Sequence, residues 1–343
     1  MTVAAVPEEL SFDRSDWEVL VGYWHPIAFA RQVASEPVGV RLLDVDLVVY
    51  RTSSGVVVAR NLCVHRGTPL TLGHVDGDEI VCRYHGWRYA SDGRCTLIPS
   101  SGPGHSIPAR ARLLVFLAVE RYGIVWACLS LEPSYELPKW LEAEDPAYRI
   151  VFPEGQEWGT SAGRLIENFL DVSHFSFVHT GTFGNPDWAY VPKLDIDRTA
   201  NGLRQTYQYV AGNPDGSPVM SGGEVTIDRT MYYELSLPFS ARLVISYPDG
   251  RNDVVCISAS PTEARRVRIF FFVARNYDHD TPEAEFLRWD YAILEEDRAI
   301  VEEQRPEDLP LDLSEELHVR ADKMAVAYRR ALGELGLGRR FTA

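Results

Sequence analysis

Cys63-Val64-His65 and, after sixteen intervening residues, Cys82-Arg83-Tyr84-His85 are the stretches on which the reading of this chain turns. Each offers one thiolate and one imidazole. Each also lies beside a strand-like run, GVVVARN (55–61) before the first and DEIVCRYHGWRYA (78–90) around the second. Four such donors bind metal, and the question is which. In one arrangement two Cys hold one iron and two His the other, and the imidazoles raise the potential of the [2Fe–2S] cluster above that of all-Cys clusters. A structural zinc site is the competing reading. Zinc fingers, however, pair Cys with Cys and His with His, whereas each loop here carries one of each. Gly67 and Gly86 let the backbone approach the ligated atoms closely, with Arg66 and Trp87 expected around them. Cys95, Cys128 and Cys256 stand singly in apolar runs and read as core.

The flanking residues sharpen this. CVHRG and CRYHGWRY resemble the two cluster-binding loops of Rieske proteins, which implies a [2Fe–2S] cluster on Cys63, His65, Cys82 and His85. Outward from the loops, VRLLDVDLVVYR (40–51) and GIVWACLSL (123–131) read as further strands bounded by turn residues. A segment rich in Pro and acidic residues, 132–157, reads as the passage to a second domain. The expected division is 1–150 and 151–343.

The second part mixes types. The spacing predicts a helix from Arg164 to Phe177 and strands over 203–209, 224–233, 241–247, 254–258 and 267–275. A long helix opens at Thr281-Pro282, with Thr281 as N-cap and Pro282 in the first turn. A last amphipathic helix over 314–335 lines up Leu317, Ala321, Met324, Tyr328 and Leu332. Strands followed by packing helices indicate an α+β domain.

Here lies the second constellation, Glu167-Asn168-Phe169-Leu170-Asp171-Val172-Ser173-His174-Phe175-Ser176-Phe177-Val178-His179. Asp171 and His174 among so many apolar neighbours are expensive unless paired or metal-bound. His174 and His179 are five residues apart, about 140° around an ideal helix, so both reach one ion only if the helix bends or ends between them. Two His and one carboxylate with open positions define the non-haem Fe(II) triad. Asp297, on a mostly apolar stripe with Asp290, Ile293, Leu294, Ile300 and Val301, is the favoured carboxylate. Glu296 is the alternative; it and Glu295 fall to the sides and read as solvated.

N-x-x-D-x-x-H-x-x-x-x-H followed by E-D-x-x-x-x-E resembles the iron-binding segments of Rieske non-haem iron oxygenase α subunits, and the resemblance spans essentially the whole chain. ENFLDVSHFSFVHTGTFGNP, EEDRAIVEEQRPEDLP and ADKMAVAYRR are most similar to the caffeine N-demethylases, ahead of the vanillate and dicamba O-demethylases. The resemblance implies an all-β Rieske domain, then an α+β helix-grip (START-like) catalytic domain. It implies His174, His179 and Asp297 as ligands of a mononuclear Fe(II), with Asn168 a non-ligating neighbour. It further implies Asp171 as a carboxylate bridging to a cluster histidine of the next subunit of a homotrimer.

The activity so implied is hydroxylation of a small aromatic or heterocyclic molecule by O2, as an N- or O-demethylation through a hydroxymethyl intermediate. Ring hydroxylation or cis-dihydroxylation of an aromatic acid is the runner-up. A Rieske electron carrier without catalysis and a zinc-stabilised binding module are the readings from other classes. The chain carries no G-x-G-x-x-G fingerprint after a strand and no plant-type ferredoxin Cys run, so a separate reductase, with or without a ferredoxin, must supply electrons. Substrate is expected between the 224–275 strands and the 282–304 helix, near Phe239, Ile257, Phe271, Trp289 and Ile293, each of which also reads as core.

A net charge of −15 argues against nucleic acid or an anionic membrane as partner. No run approaches the ~18 apolar residues of a membrane helix. The N-terminus lacks a charged segment followed by an apolar one, and five cysteines make no disulfide framework. A cytoplasmic enzyme is expected.

Overall fold

The computed structural model describes residues 4–212 and 226–338 and parts the chain into two units, Met1–Leu137 and Pro138–Ala343. The parting precedes the 150/151 boundary read from sequence. The physical reason is that Arg149–Val151 pairs antiparallel with Arg266–Arg275 and so belongs to the second unit's sheet.

The first unit is built on β-branched runs. Its six-stranded antiparallel sheet has the order His25–Phe29, Ile124–Cys128, Val115–Arg121, Gly55–Arg60, Val45–Thr52, Val38–Leu42. A second sheet of four short strands runs His74–Asp76, Glu79–Val81, Arg88–Ala90, Cys95–Leu97. Cys63 follows the strand Gly55–Arg60, and Cys82 begins the turn joining Glu79–Val81 to Arg88–Ala90. Beneath both loops Tyr50, Leu70, Ile80 and Tyr89 are wholly buried in one cluster with Cys63 and Cys82. Burying each apolar side chain of that size stabilises the fold by roughly 1.5–3 kcal/mol, which gives the loops a packed base. Among its described residues the unit has one α-helix, α1 (Arg14–Leu20), capped by Asp13, whose Oδ1 accepts the Ser15 N–H at 3.0 Å.

In the second unit eight strands form one antiparallel sheet, and the run RVRIFFFVAR (Arg266–Arg275) lies inside it, paired on both sides. Its continuous apolar character suits a strand buried on both faces. The strand expected from residue 224 is described as Thr226–Ser236; residues 224 and 225 lie outside the described part.

Three helix expectations need correction. The helix read over 164–177 is α2 (Ala162–Leu170), a break, then the single turn α3 (Phe175–Val178). Asp171 turns extended there (φ −75°, ψ 136°), and its carboxylate accepts the Ser173 and His174 N–H groups, competing with helical pairing. The long helix, α4 (Glu283–Val301), has Pro282 rather than Thr281 at its N-cap. The last helix, α5 (Lys323–Glu334), starts nine residues later than expected, and Leu317 is 92% exposed. Ahead of it Asp312 holds Ser314 in a turn and Glu316 reaches Arg164 and Arg329, contacts that replace helix.

Those ions fix α2. Arg329 on α5 is almost wholly buried and binds both oxygens of Glu167, at 2.6 and 2.5 Å, while Glu316 takes it and Arg164 from outside. A buried guanidinium needs such compensation. The clamp holds the helix that leads to Asp171 and His174.

Candidate metal centres

The two cluster loops are near-copies of one turn. In the first, Cys63 N–H donates to Thr68 C=O and Gly67 N–H to Cys63 C=O; in the second, Cys82 N–H donates to Trp87 C=O and Gly86 N–H to Cys82 C=O, all at 2.9 Å. Gly67 (φ 70°) and Gly86 (φ 68°) adopt the left-handed conformation that closes each turn, which side chains on Cβ disfavour. The thiols point inward and are buried, while His65 and His85 stand further out with rings 4.4 Å apart. Trp87 stacks flat on His65 at 4.5 Å, as expected of it; Arg66 is exposed. The buried Tyr89 hydroxyl lies 3.1 Å from Cys63 Sγ and is the donor once that sulfur is an ionised ligand. Cys82 is surrounded in the same way: burial holds its thiol up, and the N–H groups of Tyr84 and His85 act in the opposite sense.

A single zinc ion needs its four donors gathered around one point about 2.0–2.3 Å from each. Among the described residues only His174, His179 and Asp297 bring three donor atoms within 4.8 Å of one another, so the Cys–His set does not close on one ion. Buried thiols at one end and outward imidazoles at the other fit a two-iron cluster. Cys95, Cys128 and Cys256 are buried core, as expected.

The mononuclear set is assembled from three places. His174 follows the Asp171 break, His179 closes α3, and Asp297 comes from α4. His174 Nε2 and His179 Nε2 lie 3.2 Å apart, and each is 3.4 Å from Asp297 Oδ1. A triangle of that size admits one ion at about 2 Å from every corner. The other ring nitrogens settle the tautomers. His174 Nδ1 is 3.1 Å from Asp171 Oδ2, and His179 Nδ1 is 2.9 Å from Glu296 Oε2. Carboxylates only accept, so both Nδ1 atoms carry the proton and both Nε2 lone pairs face the triangle.

Glu296 is therefore neither solvated nor at the triangle. It also accepts the Gly181 N–H at 3.0 Å and the Thr182 hydroxyl at 2.7 Å, which ties α4 to the loop after His179. That loop returns sharply: a Cβ on Gly184 would lie 2.2 Å from the Phe175 carbonyl oxygen. Asn168 Nδ2 donates to Asp297 Oδ1 at 3.3 Å and orients the third donor. Burial opposes protonation of His174, yet Asp171 and Asp297 outweigh it and push the imidazole up to about 9. For His179 burial dominates and its pKa falls. The proton that Asp171 and Asp297 favour on His174 sits on Nε2, at a corner of the triangle, and a bound cation takes its place there.

Residues 23–118 match the family model of the Rieske [2Fe-2S] domain, and residues 158–337, more than half the chain, match that of the vanillate O-demethylase oxygenase C-terminal domain. The chain belongs to the Rieske non-haem iron oxygenases. It is 33% identical over 328 residues to methylxanthine N1-demethylase NdmA of Pseudomonas putida, covering 93% of this chain and 90% of that one. Methylxanthine N3-demethylase NdmB of the same organism is 32% identical over 347 residues, with 96% and 93% covered. The structure of Pseudomonas putida NdmA with caffeine superposes with a TM-score of 0.84 at 31% identity, covering 95% of this chain and 94% of that one. The oxygenase thus carries a [2Fe–2S] cluster and a mononuclear iron.

Against the triangle the oxygenase has a cavity walled by its sheet and by α4. Met231, Leu243, Ile257 and Phe271 line one side, Trp289 and Ile293 the other, and His174, His179 and Asp297 close one end. Phe183 stacks on His179 at 4.7 Å and also lines it. Four of the five expected lining residues are there. Phe239 is not: it is buried at the end of the hairpin between Thr226–Ser236 and Ser240–Ser246, where its carbonyl accepts from Ala259 and Ser258. Sequence reading missed Glu296 as a histidine partner and also the polar residues Tyr247, Asp253, Arg275 and Asp290 in the cavity wall. Asp290 was visible on the Asp297 stripe; Asp253 and Arg275 are strand residues and Tyr247 follows a strand, with no local signal. No described helix is long and apolar enough to cross a membrane.

Proposed function

We propose that the oxygenase removes a methyl group from nitrogen on a small aromatic heterocycle. The observation that carries this is the apolar, aromatic-walled cavity ending on the His174–His179–Asp297 face, in a chain similar to N-demethylases over nearly its whole length. In this reading Cys63, Cys82, His65 and His85 hold the [2Fe–2S] cluster, and His174, His179 and Asp297 hold Fe(II). Bound there, the iron supplies O2 activation. The chain's own residues do the rest. Trp289 and Phe271 sandwich a planar ring and exclude water, so that the methyl carbon meets the open face of the triangle. Glu296, Asp171 and Asn168 keep the two imidazoles and the carboxylate aimed at one point. One O2, two electrons and two protons convert N–CH3 to N–CH2OH plus water. The N–CH2OH then separates into N–H and formaldehyde.

The electrons come from a separate reductase, and a ferredoxin between the two belongs to this proposal. So does a homotrimer in which Asp171, still 27% exposed beside His174, meets a cluster histidine of the neighbouring subunit. None of the five cysteines is in a disulfide, which accords with a cytoplasmic setting. Turnover with a surrogate reductase over N-methyl, O-methyl and unsubstituted aromatics tests the reading: formaldehyde should appear in step with N-demethylated product. A cis-diol from the unsubstituted ring, with no formaldehyde from any methylated compound, would overturn it in favour of dihydroxylation.

A further inference from the structure

The polar end of the cavity holds two carboxylates in opposite states. Asp253 is fully engaged, accepting from the Tyr247 hydroxyl at 2.8 Å, the Tyr277 hydroxyl at 2.9 Å and Arg275 Nε at 2.8 Å. Arg275 also lies over the Phe286 ring at 3.8 Å. Across from this floor, α4 presents Asp290 to the same cavity. No described residue outside Asp290 itself hydrogen-bonds its carboxylate, and its Oδ2 is buried without a partner. Burial pushes its pKa up to about 7; Arg275 opposes the rise and Asp253 adds to it. A buried acceptor left unmet costs about 1–3 kcal/mol, and more when charged. Such a group in a native chain calls for a reason, and the cavity it lines offers one.

Its position is also informative. Asp290 stands seven residues before Asp297 on one stripe of α4, with Ile293 and Leu294 between them along the cavity wall. Seven residues span roughly 10 Å along a helix axis. That distance leaves room for a fused planar ring lying on apolar wall, with its methyl at the metal face and its far edge within reach of Asp290.

We propose that Asp290 is a specificity-determining residue that accepts a hydrogen bond from a free N–H on the substrate edge opposite the methyl group removed. The substrate class is then the N-methylated nitrogen heterocycles that keep a ring or exocyclic N–H, an assignment that rests on the demethylase reading above. The Arg275 Nε–H is spent on Asp253 and no other described residue donates to the Asp290 carboxylate, which leaves that place to a ligand N–H. A ligand N–H would lower the cost of ionising Asp290, whereas an N-methyl at that edge would bury the carboxylate unmet.

The test uses the iron-loaded holoenzyme and probe pairs that differ by one N–H: theobromine and caffeine, 1-methyluracil and 1,3-dimethyluracil. Dissociation constants by calorimetry and formaldehyde release are measured separately. The N–H member of at least one pair should bind about tenfold more tightly, a difference of about 1.4 kcal/mol. Asp290→Leu should bind both members of that pair alike, and Asp290→Asn, which keeps an acceptor oxygen, should fall between. Should the Leu variant not fold, the Asn variant carries the same comparison. Without ligand, either substitution should raise Tm, where a structural role would lower it. The gain should widen from about pH 4, where the unfolded carboxyl ionises, to about pH 7, where the folded one does, and stay level above that. Indifference to the N–H in every pair, whether from equal binding or none, overturns the proposal, as does a preference that survives in Asp290→Leu. An N–H preference without formaldehyde from any probe would instead remove the demethylase reading and leave Asp290 standing.

Discussion

The two candidate metal centres of this oxygenase are built by opposite means. Each cluster loop is a five-residue turn closed by its own backbone, with the same pair of hydrogen bonds and the same left-handed glycine in both copies. The mononuclear triangle has no such local frame. Its third corner lies 118 residues beyond His179 in the chain, and each corner is aimed by a separate partner: Asp171 for His174, Glu296 for His179, Asn168 for Asp297. A turn can be specified by a handful of neighbouring residues. A triangle of this kind depends on α2, α3 and α4 all holding their places.

Removing one donor from each centre should have the largest effect. Asp297→Ala should reduce product formation by at least about a thousandfold, as loss of the reacting metal implies, and remove about one iron per chain while the visible spectrum of the cluster persists. Cys82→Ala should do the reverse, bleaching the spectrum. If Glu296→Ala loses the iron while Asp297→Ala keeps it, the triangle has been assigned the wrong corner.

A smaller effect separates donors from the groups that aim them. Glu296→Gln keeps the size of the side chain but lets the His179 tautomer relax, and it should weaken iron binding by roughly 10–100-fold. Glu295→Gln, one residue away on the same helix, is the control and should leave the affinity near the parent value. Equal affinities in the two variants, titrated against a chelator, would mean that the His179–Glu296 contact does not orient the ring.

The smallest change is expected at the cluster. Tyr89→Phe removes one hydrogen bond to Cys63 sulfur and leaves the turn's backbone intact, so the cluster should assemble normally. Its reduction potential should fall, because a donor to sulfur favours the more negative reduced state. A potential equal to the parent's in voltammetry would place the Tyr89 proton elsewhere.

How far each centre could be read along the chain follows this contrast. Cys63, His65, Cys82 and His85, with Gly67 and Gly86, are legible as the proposed cluster site because donor, turn and glycine sit within one turn of each other, and the cost of a wrong residue is local. His174, His179 and Asp297 were legible as candidates too, and so was the need for the helix to break near them. Where it breaks was not. Asp171 caps the following backbone before His174, a competition between side chain and helix that periodicity does not reveal. Tertiary structure alone decided that Glu296 turns toward His179 and the Thr182 loop rather than water, and that Phe239 closes a hairpin instead of facing substrate. It also decided that Asp253 finds three donors while Asp290 Oδ2 finds none among the described residues. Each of these depends on which distant group arrives at hydrogen-bonding distance. Spacing along a chain states what a residue can offer; only packing states what it meets.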